Sequence, residues 1–299
     1  MKTYNIKAAS LLLAILLSIP GIATAQRNFD DVQVEATQVA DNIYMLTGSG
    51  GNIGVIIGED GTFIIDDQFA PLTDKINAAI AKLTDKPVKF VLNTHWHGDH
   101  TGGNENFGKA GALIVAHDNV RVRMSAKQLE DAMDNADAGA ALPVVTFAED
   151  VTFHLNGETI HAFHIKDAHT DGDAIIHFKN ANVMHMGDTF FAGRFPYIDI
   201  DSGGSIDGMI SSANRVLSLT DEDTKIIPGH GPLSTPKDLK NYRDVMMKVR
   251  AKIMLMIRED KTLEEVIAAN PTEGYEDWGT GFINSERFVT ILYNDLSSK

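Results

Sequence analysis

The segment from His95 to His100 restricts the folds open to this chain more than any other part of the sequence. It reads His-Trp-His-Gly-Asp-His and places three imidazoles and a carboxylate within six positions. Folding alone does not explain this density, because clustered histidines repel one another when protonated and several ring nitrogens need partners when buried. Coordination of metal is the more economical explanation. On an extended segment His95, His97 and Asp99 would share one face, and a turn at Gly98 would bring His100 toward a second centre.

The sequence around this cluster alternates between strand and helix patterns. Helical spacing predicts a helix from Leu72 to Leu83 and a long amphipathic helix from Pro236 to Arg258, with further helices from residue 102 or 103, over 118–129 and over 205–219. Short apolar runs predict strands at 43–46, 54–57, 62–65, 89–92, 113–116, 151–155, 159–165, 174–178, 183–186 and 225–227. The cluster therefore follows a strand, where sites of α/β sheets usually lie. Periodicity supports an α/β class and suits two sheets face to face with helices outside both.

The first 25 residues have the pattern of a secretory signal peptide. Two lysines precede an apolar stretch from Ala8 to Ile19, and small residues lead up to Ala25. The stretch is short for a membrane span and ends at Pro20, so a retained anchor is the weaker alternative. We therefore expect cleavage after Ala25, a periplasmic or secreted location, and one domain of two αβ halves over residues 26–299.

Composition narrows the partners that this chain would bind. It has no cysteine, so any metal would be held by nitrogen and oxygen ligands alone. The formal net charge is −15, and loss of residues 1–25, which carry two lysines and no acids, would make it −17. Such a charge disfavours nucleic acid. We expect a small-molecule substrate, no nucleic-acid partner and no membrane anchor after cleavage.

At the histidine cluster the chain resembles the metallo-β-lactamase superfamily, whose His-x-His-x-Asp-His motif is matched in full by residues 95–100. Further motifs of that family follow in the right order. Asp66 ends a strand-like run, and His169 lies in Ala-His-Thr-Asp-Gly-Asp. Asp188 lies in Met-Gly-Asp-Thr, and His230 lies in Pro-Gly-His-Gly. The resemblance implies a four-layer αββα sandwich with metal ions at one edge.

The same resemblance implies two metal ions held by seven side chains. The ligands would be His95, His97 and His169 for the first ion, Asp99, His100 and His230 for the second, and Asp188 as a bridge between them. Asp66 would support the site without touching a metal. Zinc is the leading candidate for such nitrogen and oxygen donors, and iron or manganese are the alternatives.

A pair of metal ions predicts a hydrolase. Two ions about 3.5 to 4 Å apart can share a water, lower its pKa toward neutrality and direct it at a carbonyl carbon. Such an enzyme would use a metal-bridging hydroxide and would need neither a serine nor a cysteine nucleophile. Asp99 is the candidate catalytic residue, because it could orient the nucleophile from the second metal.

Two segments near the ligands are candidates for contact with the substrate. The glycine-rich turn 48–52, which ends at Asn52, would arch over the site and close on a substrate, or it would be an ordinary hairpin loop. An aromatic segment follows Asp188 and includes Arg194 and Tyr197. It would form a substrate wall with Arg194 as a carboxylate partner, or it would only pack the second sheet.

The ligand pattern bears on the type of hydrolase. Glyoxalase II, lactonases and tRNA-processing members have a similar combination of residues at the positions of His100 and Asp188. The β-lactamase subclasses have a different residue at one or both of these positions. Export would separate the enzyme from cytosolic glutathione thioesters, and the negative charge disfavours tRNA. We expect hydrolysis of a β-lactam amide or of a lactone or other ester. The alternatives are a mononuclear iron enzyme similar to the sulfur dioxygenases, a glyoxalase II-like thioesterase, and a metal-binding protein without catalysis.

Overall fold

The computed structural model of the chain describes residues 28–131 and 138–298. The expected signal peptide, residues 1–25, lies outside the described residues. In the two described ranges no helix has both the length and the apolar character that a bilayer crossing requires.

The first half of the chain forms a seven-stranded sheet in which strand order follows chain order. Neighbouring strands are antiparallel from the first to the fourth and parallel from the fourth to the seventh. The strands are β1 (Glu35–Ala40), β2 (Ile43–Thr47), β3 (Ile53–Ile56), β4 (Thr62–Ile65), β5 (Val88–Leu92), β6 (Leu113–His117) and β7 (Val145–Phe147). The helices of this half are α1 (Thr73–Ile80), α2 (Gly98–Thr101), α3 (Asn104–Lys109) and α4 (Asp118–Asp131).

The second half forms a five-stranded sheet with helices mainly after it. The strands are β8 (Asp150–Leu155), β9 (Glu158–His164), β10 (Ala174–Phe178), β11 (Val183–His185) and β12 (Lys225–Ile227), in the spatial order β12-β11-β10-β9-β8. Only β11 and β12 are parallel; the other pairs are antiparallel. The helices are α5 (Ile206–Leu217), α6 (Pro236–Arg258), α7 (Leu263–Ala268) and α8 (Ser285–Ser297).

Three apolar clusters divide the molecule into four layers. One lies between the sheets and joins residues such as Phe63 and Ile65 to Ile176 and Phe178. A second packs α1 and α3 on the outer face of the seven-stranded sheet. The third packs α5, α6 and α8 on the outer face of the five-stranded sheet. Each sheet therefore buries both faces, and the αββα architecture expected from the sequence is confirmed.

Most elements follow the predicted pattern, and the differences have local causes. The long helix α6 has the predicted bounds, with Thr235 as its N-cap in a capping box with Asp238. Asn156 and Gly157 both have positive φ, as a two-residue hairpin requires. Two edge strands were missed, because β1 lacks an apolar alternation and β7 has only three residues.

The segment after His97 differs from the prediction. It turns into the single helical turn α2 at Gly98, with a further helix at α3, instead of staying extended to Asp99 and beginning a helix at residue 102 or 103. Asp99 therefore lies on a helical turn and does not share a strand face with His95 and His97. The prediction of a shared face for Asp99 was wrong, because β5 already ends at Leu92, residues 94–96 form bends, and helical backbone begins at Gly98.

The functional residues follow strand ends at one edge of the sandwich. Parallel β4 and β5 end before Asp66 and His95, and parallel β11 and β12 end before Asp188 and His230. Since the carboxyl ends of parallel strands point the same way, each sheet presents two such segments at its own edge. His169 lies in the connection between β9 and β10.

Helix α5 holds the segment that carries His169 through a close backbone approach. The N-cap hydroxyl of Ser205 donates to the carbonyl oxygen of Asp167 at 2.7 Å, and Ser205 N donates to Ala168 O at 2.8 Å. A Cβ built on Gly208 would overlap the backbone of Asp167. Only a glycine fits at this contact.

We predict that Gly208→Ala lowers the free energy of unfolding by about 1–3 kcal/mol, because the added methyl group forces the helix away from the segment before His169. Gly139→Ala is the matched control, since a Cβ there meets nothing within 4 Å. Urea unfolding of both variants measures the difference. Equal stability of Gly208→Ala and the unsubstituted chain would contradict the tight contact.

Candidate metal centre

Three histidines converge from the two sheets. One ring nitrogen of each of His95, His97 and His169 lies within 4.8 Å of the others. Nε2 of His169 is 2.9 Å from Nδ1 of His97. The other nitrogens already have acceptors: Nδ1 of His169 lies 2.8 Å from Tyr197 O, and Nε2 of His97 lies 2.9 Å from a carboxylate oxygen of Asp199. In neutral rings the two facing nitrogens therefore carry lone pairs, which repel unless a cation lies between them.

A second group faces the first. Asp99, His100 and His230 also bring one ligand atom each within 4.8 Å of the others. Nε2 of His100 lies 3.4 Å from Nε2 of His230, and Oδ2 of Asp99 lies 3.4 Å from the same His230 nitrogen. This group has one buried ring, one partly exposed ring and one carboxylate.

Asp188 lies between the two groups with one oxygen toward each. Its Oδ2 is 3.9 Å from Nε2 of His95 and 3.6 Å from Nε2 of His169. Its Oδ1 is 3.1 Å from Nε2 of His100 and 3.3 Å from Nε2 of His230. The side chain is almost completely buried. Asp188 therefore lies where one side chain can contact both groups of candidate ligands.

The hydrogen bonds of the histidine rings also indicate that these residues bind metal ions. Nδ1 of His95 lies 3.0 Å from the hydroxyl of Thr94, while its Nε2 is buried without a hydrogen-bond partner. A buried ring nitrogen without a partner costs free energy, and a metal ion at this point would remove that cost. Nδ1 of His100 is likewise held by Asp66 at 2.7 Å, which turns Nε2 toward the second group. Such outer contacts fix the tautomers that metal ligation needs.

The pKa values of the first group favour the protonation states that bind a cation. Burial lowers the pKa of His169 to about 4 and lowers that of His95 well below its usual value, so both rings are neutral at pH 7. Burial raises the pKa of Asp188, but the nearby imidazoles of His230 and His100 outweigh it and hold that pKa well below the usual range. Neutral imidazoles beside a carboxylate anion are the species that bind divalent metals.

Asp66 supports the second group from beneath. It has a positive φ of 63° and is completely buried. Its carboxylate accepts hydrogen bonds from the backbone N–H and the hydroxyl of Thr94, at 2.7 and 2.8 Å, as well as facing His100. One carboxylate therefore orients a predicted ligand and fixes the backbone next to His95.

Two further carboxylates were missed by the sequence reasoning. Asp199 accepts from His97 and from the backbone N–H of Ser202. Asp173 accepts from the backbone N–H groups of His169 and Thr170, and burial raises its pKa to about 7. The only local signal was that Asp173 belongs to the motif around His169. Asp199 had none, because its partner is 102 residues away in sequence.

Asn52 does not face the cavity but ties the glycine-rich turn to the segment of His230. Its side-chain amide donates to Pro228 O and Gly231 O, both at 2.9 Å, and its backbone N–H donates to Gly229 O at 2.7 Å. The side chain of Gln68 donates to Gly51 O at 2.7 Å. The turn 48–52 is therefore anchored on both sides, which favours a fixed wall over a closing lid.

A cavity of about 590 Å³ opens onto the two groups. Both Arg194 and Tyr197 contribute to its lining, as the sequence predicted for a substrate wall. The turn 48–52 contributes Ser49 and Gly50. Apolar side chains form much of the remaining wall; they are Phe69, Phe191, Phe195, Phe282 and Ile283. The last two belong to the chain after Pro236, for which the sequence left three roles open: covering the site, mediating dimerisation or only completing the fold.

We predict that Asn52→Ala weakens binding of the second metal ion more than the first, because the carbonyls of Pro228 and Gly231, on either side of His230, lose their side-chain donor. Asn42→Ala is the matched control: its side chain also donates to a backbone carbonyl, Ile57 O at 3.1 Å, but far from the ligands. Competition with a chelator should show about 10- to 100-fold weaker binding of one ion in Asn52→Ala. Equal affinities in both variants would contradict the positioning role.

We predict that affinity for the second ion rises with pH between 6 and 8. In the metal-free protein burial lowers the pKa of His230, but Asp188 and Asp99 together outweigh burial and raise the pKa to about 9, and a ligand must lose its proton to bind. Affinity should therefore rise roughly tenfold per pH unit or more steeply. The first ion is an internal control, because the lowered pKa values of His95 and His169 leave both of these rings deprotonated in this pH range. Equal slopes for the two ions in zinc titrations would refute this assignment.

Curated relatives include enzymes of more than one activity. A hydroxyacylglutathione hydrolase of Polaromonas sp. is 27% identical over 162 residues, 54% of this chain and 55% of the relative, so the match spans about half the length of that protein. The lactamase-like protein aptB of Emericella nidulans is 25% identical over 267 residues, 84% of this chain and 74% of the relative. Subunit alpha of a 2,4-dinitroanisole O-demethylase from Nocardioides sp. is 24% identical and covers 64% of this chain and 56% of its own.

Solved structures share the fold. A metallo-beta-lactamase from Pontibacter korlensis aligns with a TM-score of 0.59 at 19% identity, over 72% of this chain and 99% of its own. The DIM-1 metallo-beta-lactamase aligns with a TM-score of 0.59 at 20% identity, over 73% and 99%. Residues 46–230 match the family model of the metallo-beta-lactamase superfamily. That range is more than half of the chain and contains all seven converging side chains, so the chain belongs to the metallo-β-lactamase superfamily of metal-dependent hydrolases.

Proposed function

We propose that this chain is an exported, zinc-dependent hydrolase that cleaves a β-lactam amide or the ester bond of a lactone or related small molecule. The observation that carries the proposal is the position of Asp188, with one oxygen toward each of two groups of converging ligand atoms. Zinc ions bound to these groups would lower the pKa of a shared water and polarise the substrate carbonyl. Iron or manganese would suit the same donors less well.

Asp99 is the residue that we assign to proton transfer. It lines the cavity, and its side chain is 29% exposed. Burial raises its pKa, but His100 and His230 outweigh this effect and leave the pKa below the usual value. The carboxylate is therefore an anion at neutral pH. One oxygen can take part in binding while the other accepts a proton from the attacking water and keeps it oriented.

The apolar walls would strengthen these interactions. Phe69 and Phe191 border the cavity, and the ring of Phe191 stacks on His230 at 5.2 Å between centroids. A substrate that fills this space displaces water from around the carboxylates and imidazoles. Electrostatic stabilisation of a developing negative charge is larger in such a water-poor site.

The relatives support two substrate classes. Hydrolysis of a lactam is favoured by the lactamase-like relative, whose match covers most of this chain, together with the expected export. A thioesterase is the second candidate, because one relative is named as a hydroxyacylglutathione hydrolase. The cavity with its aromatic walls suits a compact apolar acyl group in either case.

We predict that exhaustive chelation abolishes hydrolysis and that zinc restores it. The substrates to compare are nitrocefin, an acyl-homoserine lactone, 4-nitrophenyl acetate and a lactoyl thioester of glutathione, with metal content measured on the same sample. Two zinc ions per chain and activity on at least one carbonyl substrate are expected. Full activity of the metal-free protein would refute the mechanism, and highest activity on the thioester would favour the second candidate.

We also predict that Asp188→Ala reduces kcat/KM by about three orders of magnitude or more, because both ions lose a shared ligand. His161→Ala is the matched control. That histidine pairs with Asp150 at 2.9 Å on the five-stranded sheet and does not line the cavity. Comparable losses in the two variants would count against a role for Asp188 at the reaction centre.

A further inference from the structure

The segment after the family match builds part of the cavity wall. The backbone N–H of Phe195 donates to Trp278 O at 3.1 Å, and the ring of Phe195 stacks on Phe288 with centroids 4.5 Å apart and planes 11° apart. Both Phe195 and Phe288 are buried. The chain from the 3-10 turn at 276–280 to the start of α8 is therefore fixed on the loop that follows Asp188.

Phe282 is the unusual residue of this wall. It borders the cavity, yet 76% of its surface is exposed. The guanidinium of Arg287 lies 4.5 Å from the centre of its ring, and the ring of Tyr197 lies edge-on at 6.3 Å. An exposed apolar ring gains little stability for the fold. Here it is held on two sides at the mouth of a cavity, which is the arrangement of a preorganised contact surface.

Positive charge accompanies this aromatic surface. Arg194 is exposed and lines the cavity, and the stem of its side chain lies against Gly281. Within residues 28–131 and 138–298, no carboxylate forms an ion pair with the guanidinium of Arg194 or Arg287. The chain has 41 acidic and only 26 basic residues. The guanidinium of Arg194, which lies in the cavity wall without an acidic partner, therefore points to a ligand that brings its own anion.

We propose that Phe282 and Arg194 determine substrate specificity, and that the substrate is a carbonyl compound that carries a flat apolar group and a carboxylate away from the scissile bond. Phe282 contacts the apolar group, and Arg194 pairs with the carboxylate. Arg287 positions Phe282 from behind. This inference rests on the proposed hydrolase function, because it assumes that the carbonyl lies at the two groups of ligands.

The apolar contact is tested with two esters that share a leaving group, 4-nitrophenyl acetate and 4-nitrophenyl phenylacetate. Phe282→Ala should lower the ratio of kcat/KM for the phenylacetyl ester to kcat/KM for the acetyl ester about tenfold, mainly through KM. Phe282→Tyr should retain the preference. Leu255→Ala is the matched control, since Leu255 is 60% exposed on α6 and does not line the cavity.

The ionic contact is tested with 4-nitrophenyl esters of pentanoate and of glutarate, which differ mainly by the terminal carboxylate. Arg194→Gln should lower the ratio of kcat/KM for the glutarate ester to kcat/KM for the pentanoate ester about tenfold, mainly through KM, and Arg194→Lys should recover part of the loss. Arg258→Gln, at the exposed end of α6, is the control. Added salt should weaken the wild-type preference for the carboxylate.

Binding measurements separate this inference from the proposed function. Calorimetry of the zinc-loaded protein with 3-phenylpropionate and with propionate needs no turnover. Tighter binding of the phenyl compound that is lost in Phe282→Ala supports the subsite, even if no ester is hydrolysed and the hydrolase proposal fails. Hydrolysis of the esters with unchanged selectivity in both Phe282→Ala and Arg194→Gln overturns the inference and leaves the hydrolase proposal standing.

Discussion

The carboxylate of Asp188 is the point on which the site depends. It is buried, and its two oxygens lie within 3.1 to 3.9 Å of four imidazole nitrogens. Nε2 of His95 lacks a hydrogen-bond partner, and the short contacts of His100 and His230 with Asp188 each need a proton or a metal ion between the two atoms. Metal ions bound here would pair with that nitrogen and take the place of those protons. Both sheets contribute side chains to this arrangement.

The fold brings the candidate ligands together at the ends of the strands. Outer contacts then refine the positions: Asp66 turns His100, Asp199 turns His97, and the carbonyl of Tyr197 turns His169. These contacts come from segments that are distant in sequence, so each ring is fixed before any ion binds. Such rigidity reduces the cost of ordering the ligands when a metal arrives. The anchored glycine-rich turn 48–52 beside the ligands adds to this rigidity.

Much of this structure could be predicted from the sequence because its signals are local. The six-residue histidine cluster, the capped helix α6 and the Asn156-Gly157 hairpin each carry their information within a few positions. The positions of Asp199 and of Phe282 depend on how distant segments pack, and a single acidic or aromatic residue has no local signature. The helical turn at Gly98 was missed because glycine permits both the extended and the turned backbone.

The claim that seven side chains bind a pair of cations is tested most directly by crystals of the zinc-loaded protein, with anomalous scattering recorded on both sides of the zinc absorption edge. The account predicts two zinc peaks. One should contact His95, His97 and His169, the other should contact Asp99, His100 and His230, and Asp188 should lie between them. A single peak, or peaks bound by other side chains in fully loaded protein, would contradict it.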